Sequence, residues 1–103
     1  MSGMLNFAPE SNASYSWPHF AGGYIAVGAG ATQGPNIPCE MVLLKSSPEN
    51  SGEVYIGGSD VSSLNGIQLD AGEVLGWIPV RNLNLIYATG SDANQQLNYI
   101  IVY

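Results

Sequence analysis

Hydrophobic residues in this chain either alternate with polar ones or form short runs, and no sustained run repeats at helical spacing. Glycine or proline interrupts the pattern every few residues, which is typical of antiparallel sheets. The pattern therefore predicts an all-β chain of about seven strands. We expect them at residues 24–30, 37–46, 53–58, 66–69, 74–80, 84–90 and 96–103.

Short strands at this spacing favour a small antiparallel β-sandwich, either a jelly roll or an immunoglobulin-like sandwich, with a small barrel as the alternative. We predict that this domain covers residues 21–103, and the 103-residue length fits one domain. Residues 74–80 and 84–90 are expected to pair with each other across the connection RNLN. The apolar segment YIIVY is expected to lie in a sheet, because water would not stabilise it as a frayed end.

Residues 1–20 differ from the rest, with small and polar residues, two prolines and isolated aromatic residues. We predict an extended N-terminal arm whose aromatic side chains anchor it on the body of the domain or on a neighbouring chain. The predicted anchors are Phe7, Tyr15, Trp17 and Phe20. The segment lacks a basic start and a long apolar stretch, so we expect neither a signal peptide nor a transmembrane helix.

Charged residues are scarce, at 10% of the chain against roughly 25% in an ordinary soluble domain. Lys45 and Arg81 are the only basic residues, and eight carboxylates give a net charge of −6. Two cations cannot neutralise several phosphates, so we expect no nucleic-acid partner. Binding to an anionic membrane is disfavoured for the same reason.

The stretch VYIGGSDVSSLNGIQLDAGEVLGW, residues 54–77, resembles a ligand loop at first sight. A P-loop needs a lysine after its glycines, and a dinucleotide fingerprint needs a following helix, and this stretch has neither. An incidental cation site at Asp60, Asp70, Glu73 and Asp92 stays open, although no EF-hand pattern is present. The simpler interpretation is that Asp60 and the pair Asn65-Gly66 form turns.

Catalytic candidates are few. His19 is the only histidine and lies in the arm, and Cys39 lies in an apolar strand, where a buried thiol is the simpler interpretation. The carboxylate pairs Glu40 with Glu53 and Asp70 with Glu73 would need a larger cleft than one small sandwich offers. We therefore predict a protein that is not an enzyme and that has no cofactor and no metal site.

Assembly explains the composition better. Natural sheets protect exposed edges with charge or proline, yet YIAVG, NLIYATG and LNYIIVY carry neither. Interfaces are depleted in Lys and Glu, as this whole chain is. We therefore predict a homo-oligomer, with a trimer as the working guess. A glycan-binding module that uses Trp17, Trp77 and the tyrosines as a stacking platform is the alternative.

The ordered series EVYIGGSDVSSLNGIQLDAGEVLGWIPVRNLNLIYATGS and LNYIIVY, residues 53–91 and 97–103, resembles small virion proteins of tailed bacteriophages. The resemblance carries no catalytic residues and implies a β-sandwich used as a structural module. We therefore expect a capsid decoration or cement subunit, made in the host cytoplasm and located on the capsid surface. Its partners would be the major capsid protein or other virion proteins. A tail, baseplate or adaptor component is the alternative within this class.

Overall fold

The computed structural model describes residues 19–103, which fold into eight β-strands and one short 3-10 helix. The strands are β1 (Phe20–Val27), β2 (Thr32–Gln33), β3 (Met41–Ser46), β4 (Val54–Gly57), β5 (Ile67–Leu69), β6 (Val74–Pro79), β7 (Tyr87–Gly90) and β8 (Gln95–Val102). The 3-10 helix covers Leu83–Leu85, between β6 and β7. The predicted all-β fold is confirmed.

The strands form two four-stranded antiparallel sheets, with orders β1-β8-β3-β6 and β2-β7-β4-β5. The pairs β1·β8, β2·β7, β3·β6 and β4·β5 are those of one long hairpin whose two halves run against each other. Rolling up that hairpin adds the pairs β3·β8 and β4·β7. This connectivity is a jelly roll, and it decides between the two sandwich types that the sequence allowed.

The hydrophobic core lies between the two sheets, because alternate side chains of each strand point inward. In β3, Val42 and Leu44 are fully buried while Lys45 between Leu44 and Ser46 is exposed. In β8, Leu97 and Ile101 are buried in the same way. Both sheets contribute to one cluster: Ile25, Val27, Cys39, Val42, Leu44, Val54, Ile56, Leu69, Leu83, Ile86, Ala88, Leu97 and Ile101.

The first strand begins earlier than the sequence pattern predicts, at Phe20 rather than at residue 24. Phe20 pairs with Val102, so it belongs to the sheet and not to the arm in which the prediction placed it. Gly22 and Gly23 hide the start of this strand in the sequence, because glycine is unfavourable in strands. At Gly23, a Cβ would lie 2.6 Å from the hydroxyl oxygen of Tyr99, so the Tyr99 ring would have to shift to accept a larger residue.

The predicted pairing of residues 74–80 with 84–90 is wrong. Strand β6 pairs with β3 in the first sheet, whereas β7 pairs with β2 and β4 in the second. The intervening 3-10 helix carries the chain from one sheet to the other, with Leu83 fully buried in the core. Asn82 caps the helix by accepting hydrogen bonds from the backbone N–H groups of Asn84 and Ile37. Strand β2, with two residues, is too short to give a sequence signal.

Gly34 allows the loop after β2 to lie directly against this 3-10 helix. Its N–H donates to the carbonyl of Ile86, and a Cβ would collide with the carbonyl group of Leu83, 3.1 Å from its carbon. We expect Gly34→Ala to lower the free energy of unfolding by about 1–3 kcal/mol, because backbone cannot move aside as a flexible side chain can. Denaturant unfolding followed by tryptophan fluorescence measures the change.

Gly30→Ala is the matched control, since a Cβ there meets nothing within 4 Å. We expect it to change the free energy of unfolding by less than about 1 kcal/mol. Equal effects of the two substitutions would contradict this account of the contact.

Candidate interaction surface

The side of the first sheet that faces away from the core is apolar over two adjacent rows of side chains. The strand register places Phe20 beside Val102, Val102 beside Met41, and Met41 beside Pro79. The next row runs from Gly22 through Ile100 to Leu43, and Trp77 lies beside Leu43 at a bulge in β6. We call this surface the apolar outer face, formed by Phe20, Gly22, Met41, Leu43, Trp77, Pro79, Ile100 and Val102.

Several large side chains of the apolar outer face are open to solvent. Phe20 is 61% exposed, Trp77 45% and Ile100 41%. The strands of this sheet contain one charged residue, Lys45, which lies in the third row beside Asn98. The apolar rows are therefore at the end of the sheet where the chain enters β1. Contiguous apolar surface with a polar border is typical of an interaction site.

Of the predicted arm anchors, Phe20 lies at the corner of the apolar outer face. Phe7, Tyr15 and Trp17 lie outside the described residues. The sequence pattern did not reveal the face itself, because its residues come from four strands that are distant in sequence. Only the order β1-β8-β3-β6 brings them side by side.

Among residues 19–103, Trp77 and the tyrosines do not all lie on one side of the sandwich. Trp77 and Tyr24 lie on the outside of the first sheet. Tyr55 and Tyr87 lie on the outside of the second sheet, because they alternate with the buried Ile56 and Ala88. These four aromatic residues thus divide between the two outer sides of the sandwich, whereas Tyr99 packs against the core, and Trp17 lies outside the described residues.

A shallow pocket of about 540 Å³ lies on the second sheet and is lined by Tyr55, Ser62, Thr89 and Ser91, among others. The hydroxyl of Thr89 donates to the carbonyl of Ala29 over 2.9 Å. The hydroxyl oxygen of Ser91 accepts a hydrogen bond from the N–H of Glu53. These two hydroxyl groups hold loops in place, which is a structural role.

The polar side chains of residues 54–77 mainly bind their own turns, as the turn interpretation predicts. Asn65 accepts a hydrogen bond from the N–H of Ser62 and donates to the carbonyl of Asp60. Glu73 accepts from the N–H of Asp70, and Gly72 between them has φ 85°. Within residues 19–103, no three His, Cys, Asp or Glu side chains lie close enough together to hold a metal ion.

Cys39 is buried, and its thiol donates to the carbonyl of Val80 over 3.2 Å. Burial raises the pKa of the Cys39 thiol above its ordinary value, because the thiolate would lose its hydration. The ring of His19 lies against that of Tyr103, with the ring centres 5.5 Å apart. Burial and a raised pKa fit the structural role predicted for the Cys39 thiol, since a nucleophilic cysteine needs a lowered pKa.

We expect iodoacetamide to alkylate Cys39 at least about tenfold more slowly in the folded protein than in denaturant at pH 8. The thiolate is the reactive form, and folding disfavours it, so the rate should rise only as pH exceeds the ordinary thiol pKa. Mass spectrometry of timed samples gives the rate. Equally fast alkylation of the folded and unfolded chains would contradict the burial argument.

Within the described part of the chain, no helix is long and apolar enough to cross a membrane. The search of protein-family models gave no match, and neither did the search of curated proteins. One similar solved structure comes from work showing that Bacillus endospore appendages form a novel family of disulfide-linked pili. The alignment covers 93% of this chain and 97% of that one, at 16% identity and a TM-score of 0.42. A likeness at this level says nothing about function.

Proposed function

We propose that this protein is a non-enzymatic structural subunit of a bacteriophage particle, located on the capsid surface as a decoration or cement protein. The observation that carries the proposal is the apolar outer face, which is contiguous and includes the exposed side chains of Phe20, Trp77 and Ile100. The resemblance of residues 53–103 to small virion proteins gives the viral setting. The jelly roll supplies a rigid support for the face, since the other side of the same sheet is the core.

The chemistry of the apolar outer face indicates the kind of partner that fits it. It contains no carboxylate, although the chain as a whole carries a charge of −6. The face therefore offers no negative charge that would attract a basic partner. An apolar protein surface is the kind of partner that matches it. Major capsid protein at a capsomer seam is the partner that we propose.

Covering the face would stabilise the complex through burial of apolar area. Phe20, Trp77 and Ile100 are each about half exposed, so covering each contributes about 1 kcal/mol. A few kcal/mol per copy is small. However, a protein that binds only the assembled shell stabilises the shell against disassembly, and this effect is repeated at every occupied seam. The aromatic residues Phe7, Tyr15 and Trp17 would add contacts on the same partner or on a neighbouring subunit.

Ile100→Lys tests this attachment. The substitution places a charge at the centre of the apolar outer face, where a partner would have to desolvate it. We expect at least about tenfold less protein on purified particles of the virus that encodes it, measured by quantitative mass spectrometry.

Gln68→Lys is the matched control, because it adds the same charge on an exposed position of the second sheet. It should leave attachment unchanged. Equal amounts of the Ile100→Lys protein and the wild-type protein on particles would contradict the proposed docking surface. Circular dichroism of both variants checks that the sandwich is intact.

Copy number tests the capsid location separately. A subunit of the shell should be present in hundreds of copies per particle, whereas tens or fewer would place it in the tail, the baseplate or a vertex. Quantitative mass spectrometry against the major capsid protein gives this ratio. A protein absent from particles would contradict any virion role.

A further inference from the structure

The described residues form four sheet edges, and β1 differs from the other three. Strands β2 and β5 have only two and three residues. Strand β6 ends in Pro79, and its pairing with β3 is interrupted by a bulge. Short length, proline and bulges are the means by which proteins block edge-to-edge association. Strand β1 has eight residues, with no proline, no charge and an unbroken register.

The hydrogen-bond pattern shows which groups β1 presents at the edge that it forms within residues 19–103. His19 and Tyr103 donate to each other's carbonyl groups, so they form a hydrogen-bonded pair beside β8. In an antiparallel ladder such pairs alternate, which directs the polar groups of Ala21, Gly23, Ile25 and Val27 toward β8. The N–H and C=O groups of the other four residues point away from β8. These are Phe20, Gly22, Tyr24 and Ala26.

We propose that β1 pairs antiparallel with β1 of a second copy around a twofold axis. The register that uses all four outward-pointing residues places Phe20 opposite Ala26 of the second copy, and Gly22 opposite its Tyr24. Each hydrogen-bonded pair exchanges two bonds, so the two strands form up to about eight. The result is one continuous eight-stranded sheet, β6-β3-β8-β1 joined to β1-β8-β3-β6.

The side chains of β1 are self-complementary in this register, as a twofold contact requires. Phe20 and Tyr24 are 61% and 59% exposed on the outer side of the sheet. Each lies opposite a small residue of the second copy, Ala26 for Phe20 and Gly22 for Tyr24. Shifting the register by two residues pairs Phe20 with Tyr24 and leaves Ala26 without a partner. That register also loses one hydrogen-bonded pair.

Charge also favours this edge as the meeting point of two copies. Two chains of net charge −6 repel each other, and β1 adds no carboxylate to that repulsion. The pair closes at two copies, because the outer ends of the joined sheet are the β6 edges with Pro79. Since the contact is mainly one strand pair and four aromatic rings, we expect a dimer that dissociates at about micromolar concentration.

This inference deepens the proposed function, because it names a second copy as one partner, but the pairing does not depend on attachment to a shell. Joining two copies would place two apolar outer faces on the same side of one sheet. Attachment would then gain avidity from simultaneous binding of both faces.

Sedimentation equilibrium of the full chain over a range of concentrations tests the pairing, with Ala26→Lys as the disrupting variant. Lysine at this position would face the ring of Phe20 of the second copy, and pairing would have to desolvate its charge. We expect the wild-type protein to form dimers and Ala26→Lys to weaken them at least about tenfold. Gln96→Lys is the matched control, since Gln96 lies beside Ala26 on β8, one strand in from the edge. It should dimerise like the wild type.

Crosslinking tests the register. Single variants Phe20→Cys and Ala26→Cys should form few crosslinked dimers alone with a short thiol crosslinker, because like positions lie far apart in the proposed pair. Mixed together, they should form the heterodimer, since each new thiol faces the other. Cys39 does not interfere because it is buried.

A protein that is monomeric at all concentrations, a trimer, or a dimer unaffected by Ala26→Lys would overturn the proposal. A monomer is also the result expected if residues 1–18 occupy the β1 edge, and it would overturn the proposal equally. The proposed shell attachment fails separately, through Ile100→Lys. Loss of particle binding with an intact dimer, or the reverse, distinguishes the two ideas.

Discussion

Pairing of β8 with both β1 and β3 is the interaction on which the rest of the structure depends. Strand β8 lies inside the first sheet and contributes Leu97 and Ile101 to the core on one side. On its other side, Ile100 and Val102 form the middle of the apolar outer face. The same strand therefore holds the two ends of the fold together and sets which residues of β1 and β3 lie side by side. Without it, the sheet would have no continuous surface on either side.

The sequence was sufficient for the fold class because the local signals were strong. Alternation in MVLLKS and VYIG, and turn residues such as Asn65 and Gly72, identify strands and turns whatever their partners are. Which strands pair was harder to predict, since the sequence of a strand does not specify which sheet it joins. Leu83 is buried in the core, and the 3-10 helix that contains it carries the chain from one sheet to the other. This burial depends on tertiary packing, which the sequence of the neighbouring strands does not show.

The sequence predicted that an interaction surface exists, but it did not predict where that surface lies. Scarcity of lysine indicated that some apolar surface would be left uncovered, and the structure locates such a surface on one sheet. Its position depends on register, because a slip of one residue would turn Ile100 inward and Ile101 outward. The uncharged segment YIAVG pointed to the edge that β1 forms within residues 19–103, but Gly22 and Gly23 concealed how far that strand extends toward Phe20. Residues Phe7, Tyr15 and Trp17 stay a prediction.

The pairing of β1 with β8 also has a kinetic consequence. Nearly all of the domain separates these two strands in the chain, so their contact closes a long loop and raises the contact order. During synthesis, β1 leaves the ribosome long before β8 is made, and until then it lacks its partner in the sheet. The growing chain is therefore exposed to wrong pairing throughout translation. A chaperone that shields β1 until β8 is made would therefore protect the yield of folded protein.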